Sequence, residues 1–134
     1  MGNPETPEER IRRLNQEVAA LQRAGKVAEG VKLADQAFFA AIEELPEGHF
    51  LRAQSARNRG IMYQMSGDNA EAYKTLLVAL DWYGKSRELC IARLKQLESA
   101  GDLRGAKSAA QERLELTRSI EQLQALLFGA PKDE

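Results

Sequence analysis

The stretch "QMSGDNAEAY" at residues 64–73 interrupts a segment that is otherwise rich in helix-forming residues. Gly67 can adopt the left-handed conformation that closes a helix, and Asp68 can cap the next helix, with Glu71 three residues later. Related stretches are "AGDLRGA" at residues 100–106 and "AGKVAEG" at residues 24–30. The pattern predicts a tight turn between two helices at each of these three places.

Proline is confined to the ends of the chain and to one internal position, since it occurs only at residues 4, 7, 46 and 131. Residues 8–45 and 47–130 therefore contain no helix-breaking proline, and β-branched residues are sparse. Segments of this kind favour helix over strand. The sequence predicts an all-α fold.

The ends of the helices follow from local signals. Thr6, Pro7 and Glu9 form a typical helix start, and the first helix is expected to end near Arg23. A second helix is expected from about Lys26 to Leu45, where Pro46 stops it, a third over residues 51–65, and a fourth after the turn at Asp68. A fifth is expected over about residues 86–99 and a sixth from 103 to 128. Six helices in three hairpins result.

The charges and reactive residues narrow the function. The formal net charge is −1, so no basic excess attracts nucleic acid or an anionic membrane. Cys90 is the one cysteine and His49 the one histidine, which excludes a disulfide framework and the usual multi-ligand zinc motifs. We expect no cofactor, no metal and no enzymatic activity, because no titratable groups are paired at a catalytic spacing.

The apolar runs "AFFAAI" and "LLVAL" are too short to span a bilayer, and the polar N-terminus does not read as a signal peptide. These features predict a cytoplasmic protein that does not cross a membrane.

The turn glycines also mark a repeat, because Gly67 and Gly101 are 34 residues apart and Gly25 lies 42 residues before Gly67. Matching positions around the three glycines hold mainly small or apolar residues. They are Val18, Gly60 and Leu94; Leu21, Tyr63 and Leu97; Gly30, Ala72 and Ala106; and Ala34, Leu76 and Ala110. Small residues allow the two helices of a hairpin to approach closely.

A helix-turn-helix of this length resembles the tetratricopeptide repeat (TPR) family. The best matches are Gly60, Tyr63, Gly67, Ala72, Leu76 and Ala79, and the resemblance covers about residues 11–120. The chain departs from the family pattern because no tryptophan begins a repeat and Glu17, Arg59 and Arg93 occupy a position that is usually leucine.

The resemblance implies a right-handed α-solenoid of three antiparallel helix hairpins with an extended C-terminal helix. The expected organisation is an N-terminal tail over residues 1–7, a single domain over 8–128 and a C-terminal tail over 129–134. Within the domain the repeats would cover about 11–44, 53–86 and 87–120, followed by a helix extension over 121–128. A three-pair helical bundle with ordinary glycine turns is the alternative.

Members of the TPR family usually hold a peptide or a partner helix on the inner face formed by the first helix of each repeat. The resemblance therefore implies a protein-binding adaptor, and helical spacing places a second stripe of mostly polar residues on that face. The predicted partner-binding residues are Arg12, Asn15, Gln22, Gln54, Arg57, Asn58, Ile61, Gln64, Ile91 and Lys95. The alternative for each is a solvated helix face.

Some members of the family clamp the acidic C-terminus of chaperones with lysine, asparagine and arginine. Asn58 stands at the matching asparagine, but Glu88 replaces a clamp lysine and would repel a carboxylate. The chaperone-tail function is therefore rejected, while Arg12 and Arg57 remain suited to an acidic residue of another ligand.

The last predicted helix outruns its hairpin partner. Leu116, Ile120, Leu123 and Leu127 form an apolar stripe that either covers the end of the repeats or packs against a second copy as an oligomerisation surface. A homo-oligomeric scaffold, with a homodimer as its simplest form, is thus the second functional hypothesis.

The arginine cluster of Arg52, Arg57 and Arg59 is interpreted as a solvated face. Cys90 falls in a packed position and is expected to be unreactive.

Overall fold

The computed structural model describes residues 3–129 and contains only helices within that range. The helices are α1 (Pro7–Arg23), α2 (Val27–Glu44), α3 (Phe50–Met65), α4 (Asn69–Ser99) and α5 (Leu103–Phe128). The predicted all-α fold is confirmed. Residues 1–2 and 130–134, which fall in the two predicted tails, lie outside the described residues.

The turn signals read from the sequence are present. Gly67 has a φ of 88°, and the side chain of Asp68 accepts a hydrogen bond from the backbone N–H of Glu71 at 3.1 Å. The other two turns repeat this backbone geometry at Gly25 and Gly101. Local chemistry therefore fixes where α1, α3 and α4 end.

The start of α1 is capped as expected. The Thr6 hydroxyl oxygen accepts from the Glu9 N–H at 3.1 Å and its O–H donates to the Glu9 carboxylate at 3.0 Å. Pro7 occupies the first turn, where its missing N–H costs nothing.

The prediction of six helices is wrong, because the expected fourth and fifth helices form the single 31-residue helix α4. No proline stands at the expected break near residue 86, and Gly84 is tolerated inside the helix. Tyr83, Ser86 and Cys90 follow one another at helical intervals and are all buried, so one continuous face packs on both sides of that point.

Each helix packs against the next one in the chain, and α1 also contacts α3. The main core lies where α2, α3, α4 and α5 meet. Its buried residues are Phe38, Ala53, Ala56, Leu76, Ala79, Tyr83, Cys90, Leu116, Ile120 and Leu123. Gly60 allows α3 and α4 to approach closely, since an added Cβ would lie 2.6 Å from Leu76 Cγ.

The apolar stripe of α5 is used within the chain. Leu116, Ile120 and Leu123 are buried in the main core, and Leu127 packs against that core while partly exposed. The sequence left two roles open for this stripe, and the position of these side chains agrees with the first, in which the stripe covers the end of the domain. The buried three have no surface left for a second copy.

None of the helices in residues 3–129 combines the length and apolar character needed to cross a bilayer.

Candidate functional site in the groove between α1 and α3

A groove of about 410 Å³ runs between α1 and α3. Residues from both helices line it: Arg12, Asn15, Gln16, Ala19, Gln22, Arg23, Phe50, Gln54, Arg57 and Asn58. Six of the ten predicted partner-binding residues meet here, namely Arg12, Asn15, Gln22, Gln54, Arg57 and Asn58. Helical spacing on two neighbouring helices was sufficient to find them.

The other four predicted residues do not line this groove. Ile61 is half-buried against the main core, and Gln64 is exposed near the end of α3. Ile91 and Lys95 were assigned to the first helix of a third hairpin. In the structure they belong to the second half of α4. They do not form a separate first helix that corresponds to α1 and α3.

Asn15 fixes the floor of the groove. Its side chain is buried, with Oδ1 accepting from the Ser55 hydroxyl at 3.1 Å and Nδ2 donating to Gln54 Oε1 at 3.4 Å. These bonds join α1 to α3 and satisfy polar groups that water cannot reach. Asn15 and Gln54 therefore hold the shape of the groove as well as lining it.

Asn58 differs from Asn15, although both are buried asparagines in the same groove. Asn58 is only 7% exposed, yet its carboxamide has no hydrogen-bond partner among residues 3–129. The amide atoms of Asn58 nevertheless reach the solvent in the groove, since the one fully buried side-chain polar atom without a partner in residues 3–129 is Arg52 Nε. A ligand in the groove can therefore replace water at Asn58 with its own donor and acceptor.

The charges that line the groove all have the same sign. Arg12, Arg23 and Arg57 contribute three guanidinium groups, and no carboxylate is among the lining residues. Arg12 donates to Glu8 at 3.1 Å, whereas Arg23 and Arg57 form no ion pair within the described part of the chain. A groove of this charge favours a ligand that carries carboxylates.

Phe50 is the apolar element of the groove that the sequence analysis missed. Its half-buried ring lies 5.2 Å from the His49 ring, and the Arg12 guanidinium lies 5.5 Å from its centroid. The third helix was expected one residue later, which left Phe50 in a loop. Gln16 and Arg23, also missed, lie beside predicted positions on α1 and carry no separate signal.

His49 explains why α3 begins where it does. Its Nδ1 accepts a hydrogen bond from the Leu51 N–H at 3.1 Å, and its Nε2 lies 3.6 Å from Glu8 Oε2. The imidazole thus acts as a helix cap that also contacts α1. The side chain sets the position of Phe50.

Arg59 is not on a solvated face, and that expectation is wrong. Its Nε donates to Asp35 at 2.7 Å and its Nη1 to Glu71 at 3.2 Å and Thr75 at 2.9 Å. The side chain is only 12% exposed. Burial disfavours the charged guanidinium, but the hydrogen bond and charge of Asp35 outweigh it and raise the pKa of Arg59.

Aromatic residues pack around Arg59 and Arg52. The rings of Phe38 and Trp82 stack at 5.6 Å, with the Arg59 guanidinium 4.9 Å from Phe38 and the Arg52 guanidinium 4.8 Å from Trp82. Two cations thus enclose two stacked rings where α2, α3 and α4 meet.

The reactive side chains are placed for structure. Burial raises the pKa of the Cys90 thiol, whose Sγ–H donates to the Ala109 carbonyl at 3.2 Å. A nucleophilic cysteine requires the opposite shift. In the part of the chain that the structure describes, no three histidine, cysteine or acidic residues lie together as metal ligands.

Comparison with models of protein families, with curated proteins and with solved structures finds no match to this chain.

Proposed function

We propose that the chain is a protein-binding adaptor that holds a segment of a partner in the groove between α1 and α3. The observation that carries the proposal is the meeting of polar side chains from α1 and α3 in one groove, where the carboxamide of Asn58 makes no hydrogen bond within residues 3–129. The unpaired guanidinium groups of Arg23 and Arg57 add an affinity for carboxylates.

The dimensions of the groove suit a peptide. Its lining residues on α1 extend from Arg12 to Arg23, a distance of about 16 Å at the rise of an α-helix. An extended peptide of about five residues covers that length. Amide side chains along the groove can bond to the peptide backbone, while Phe50 supplies apolar contact.

The architecture we propose is a TPR-like right-handed solenoid. The three glycine turns and the contact of α1 with α3 as well as with α2 support it, since first helices of successive repeats pack together in a solenoid. The continuous helix α4 is the departure from that pattern. A cytoplasmic location and the absence of enzymatic activity belong to the same proposal.

Self-association through α5 is the second candidate function. Leu126 is 45% and Phe128 63% exposed at the end of this helix, which favours some contact there. Of the stripe itself, Leu116, Ile120 and Leu123 are buried in the main core and Leu127 is partly exposed, so most of it is already used within the chain. We therefore rank the scaffold hypothesis below the adaptor.

The proposal is tested by a pull-down from a lysate of the organism that encodes the chain. The wild type is compared with Arg57→Glu/Asn58→Ala and with Arg118→Glu/Gln122→Ala, a matched pair of exposed residues on α5. We expect one set of partners to be retained by the wild type and the control but lost from the groove variant. Helicity and light scattering establish that all three proteins have the same fold and size.

Retention of the same partners by the groove variant would contradict the adaptor proposal. If partners are lost only on Leu126→Ser/Phe128→Ser, the end of α5 is the binding surface.

A further inference from the structure

A second groove continues the first one across the start of α3. Its volume is about 460 Å³, and Phe50 and Gln54 line both grooves. The remaining walls come from α4 and α5: Tyr83, Glu112, Glu115, Leu116 and Ser119. The two grooves therefore form one surface that extends from α1 to α5 and has Phe50 at the junction.

The charge changes sign along this surface. The second groove is lined by Glu112 and Glu115 and by no basic residue, whereas the first is lined by three arginines and no acid. Glu112 is already ion-paired with Arg93. Glu115 accepts a hydrogen bond from the Gln111 amide at 3.3 Å but forms no ion pair within residues 3–129.

The negative end therefore depends on Glu115. Arg104 and Lys107 line a neighbouring depression together with Glu112 and Glu115, but neither forms an ion pair with Glu115 within residues 3–129 and neither lines the second groove.

We infer that the continuous groove selects a bipolar peptide segment. An acidic side chain lies against Arg23 and Arg57, where Asn58 bonds to the peptide backbone. An apolar side chain covers Phe50, and a lysine or arginine reaches Glu115. This inference rests on the proposed adaptor function and specifies the chemistry of its partner.

Charge complementarity disfavours peptide segments whose charged side chains are all acidic or all basic. An all-acidic segment meets the carboxylate of Glu115, and an all-basic segment meets the arginines, so each carries a like-charge contact that the bipolar segment avoids. The surface is partly exposed, so each contact contributes modestly and weakens as salt is added.

The spacing of the charges follows from the packing of the helices. Neighbouring helix axes lie about 8–10 Å apart, and the two grooves lie on either side of the start of α3. An extended chain advances about 3.3 Å per residue and Arg57 lies about 10 Å along α3 from Phe50, so the acidic side chain and the basic one beyond Phe50 are separated by more than about three residues.

The test uses three synthetic peptides of about eight residues with the same leucine and alanine centre. One has glutamates at one end and lysines at the other, the second has glutamates at both ends, and the third has lysines at both ends. Kd values are measured by fluorescence anisotropy at low and at physiological salt. The proteins are the wild type, Arg57→Glu, Glu115→Lys and the controls Arg118→Glu and Glu121→Lys.

We expect the wild type to bind the bipolar peptide about three- to fivefold more tightly than either of the others at low salt, with a smaller difference at physiological salt. Glu115→Lys should shift the preference to the all-acidic peptide and Arg57→Glu to the all-basic one, while both controls behave as the wild type. The substitution of exposed Glu115 keeps the test informative if Arg57→Glu perturbs folding.

Equal Kd values for the three peptides, binding of none of them, or preferences that charge reversal does not move would overturn the inference. Light scattering could instead show a dimer that the peptides do not dissociate. If Glu115→Lys disrupts that dimer, the surface binds a second copy of the chain. The adaptor function is tested separately. If a natural partner is lost on Asn58→Ala but still binds Glu115→Lys, the adaptor function stands and the inference of a bipolar segment is wrong.

Discussion

Arg57 and Arg59 stand two residues apart on α3 and have opposite surroundings. Arg59 lies where α2, α3 and α4 meet, with Asp35, Glu71 and Thr75 within 3.2 Å of its guanidinium. Arg57 lines the groove and pairs with no carboxylate in residues 3–129. Both are arginines on one helix, so the difference lies in what the neighbouring helices supply.

Arg59 is a polar group whose partners the fold supplies, whereas Arg57 is one that the fold leaves without a carboxylate within residues 3–129. A partly buried charge with its partners in place holds helices together, and removing it leaves those partners exposed to the cost of an unpaired charge. Arg57 is half-buried and acts on the Tyr83 hydroxyl, a neutral partner that costs less to leave without its arginine than a carboxylate does. The two sides of α3 should therefore respond differently to the same substitution.

The largest expected effect is at Arg59. Arg59→Ala leaves the carboxylates of Asp35 and Glu71 without their cation and removes the contact with the Phe38 ring. We expect the free energy of unfolding to fall by about 2–3 kcal/mol, because the partners are half-exposed and regain some hydration. Arg57→Ala should cost less than about 0.5 kcal/mol. Urea denaturation of both variants measures the difference, and equal losses would contradict it.

A smaller effect is expected from filling the contact between α3 and α4. Gly60→Ala places a methyl group against Leu76, and we expect a loss of about 1–2 kcal/mol despite the better helix propensity of alanine. Gly84→Ala is the matched control, because nothing lies within 4 Å of its added Cβ. It should gain up to about 1 kcal/mol. Stabilisation by both substitutions in thermal unfolding would show that α3 and α4 are not this close.

The two buried asparagines of the groove provide a third comparison. Asn15→Ala leaves the Ser55 hydroxyl without its acceptor and should cost about 1 kcal/mol. Asn58→Ala removes a carboxamide that has no partner in the described chain, so we expect a change of less than about 0.5 kcal/mol. Chemical denaturation of the two variants checks this order. A larger loss at Asn58 would mean that its amide serves the fold.

The smallest effect is a loss of stability at alkaline pH that comes from Tyr63, which is hydrogen-bonded to Asp35. Burial and the hydrogen bonds to Asp35, at 3.0 and 3.1 Å, raise the pKa of Tyr63 above its ordinary value of 10.0. As the pH rises above 10.0, the unfolded chain releases this proton before the folded one, so the free energy of unfolding decreases. Tyr63→Phe should reduce that decrease. Identical pH profiles of variant and wild type would contradict the assignment.

Features that depend on neighbouring residues in the chain were predictable. The capping residues Thr6 and Asp68 and the turn at Gly67 act within a few positions, and each was found where the sequence placed it. The predicted break near residue 86 rested on the length of the repeat and on no stop signal. A helix without such a signal continues while its buried face finds partners, as α4 does.

The surroundings of individual charges were not predictable. Arg59 reaches Asp35 from 24 residues away, and helical spacing alone could only direct it away from Arg57. The α1–α3 part of the groove was predictable because Asn15 and Asn58 lie on regular stripes. The junction of the two grooves at Phe50 was not predictable, because the cap at His49 is what makes Phe50 part of α3.

The central claim is that the partner lies in the groove between α1 and α3. The most direct test is photo-crosslinking with a benzophenone amino acid at Gln16, which is exposed in the groove, and at Lys74, which is exposed on α4 and lines none of the grooves described above. We expect a crosslinked partner from position 16 and none from position 74. Crosslinking from position 74, with none from position 16, would contradict it.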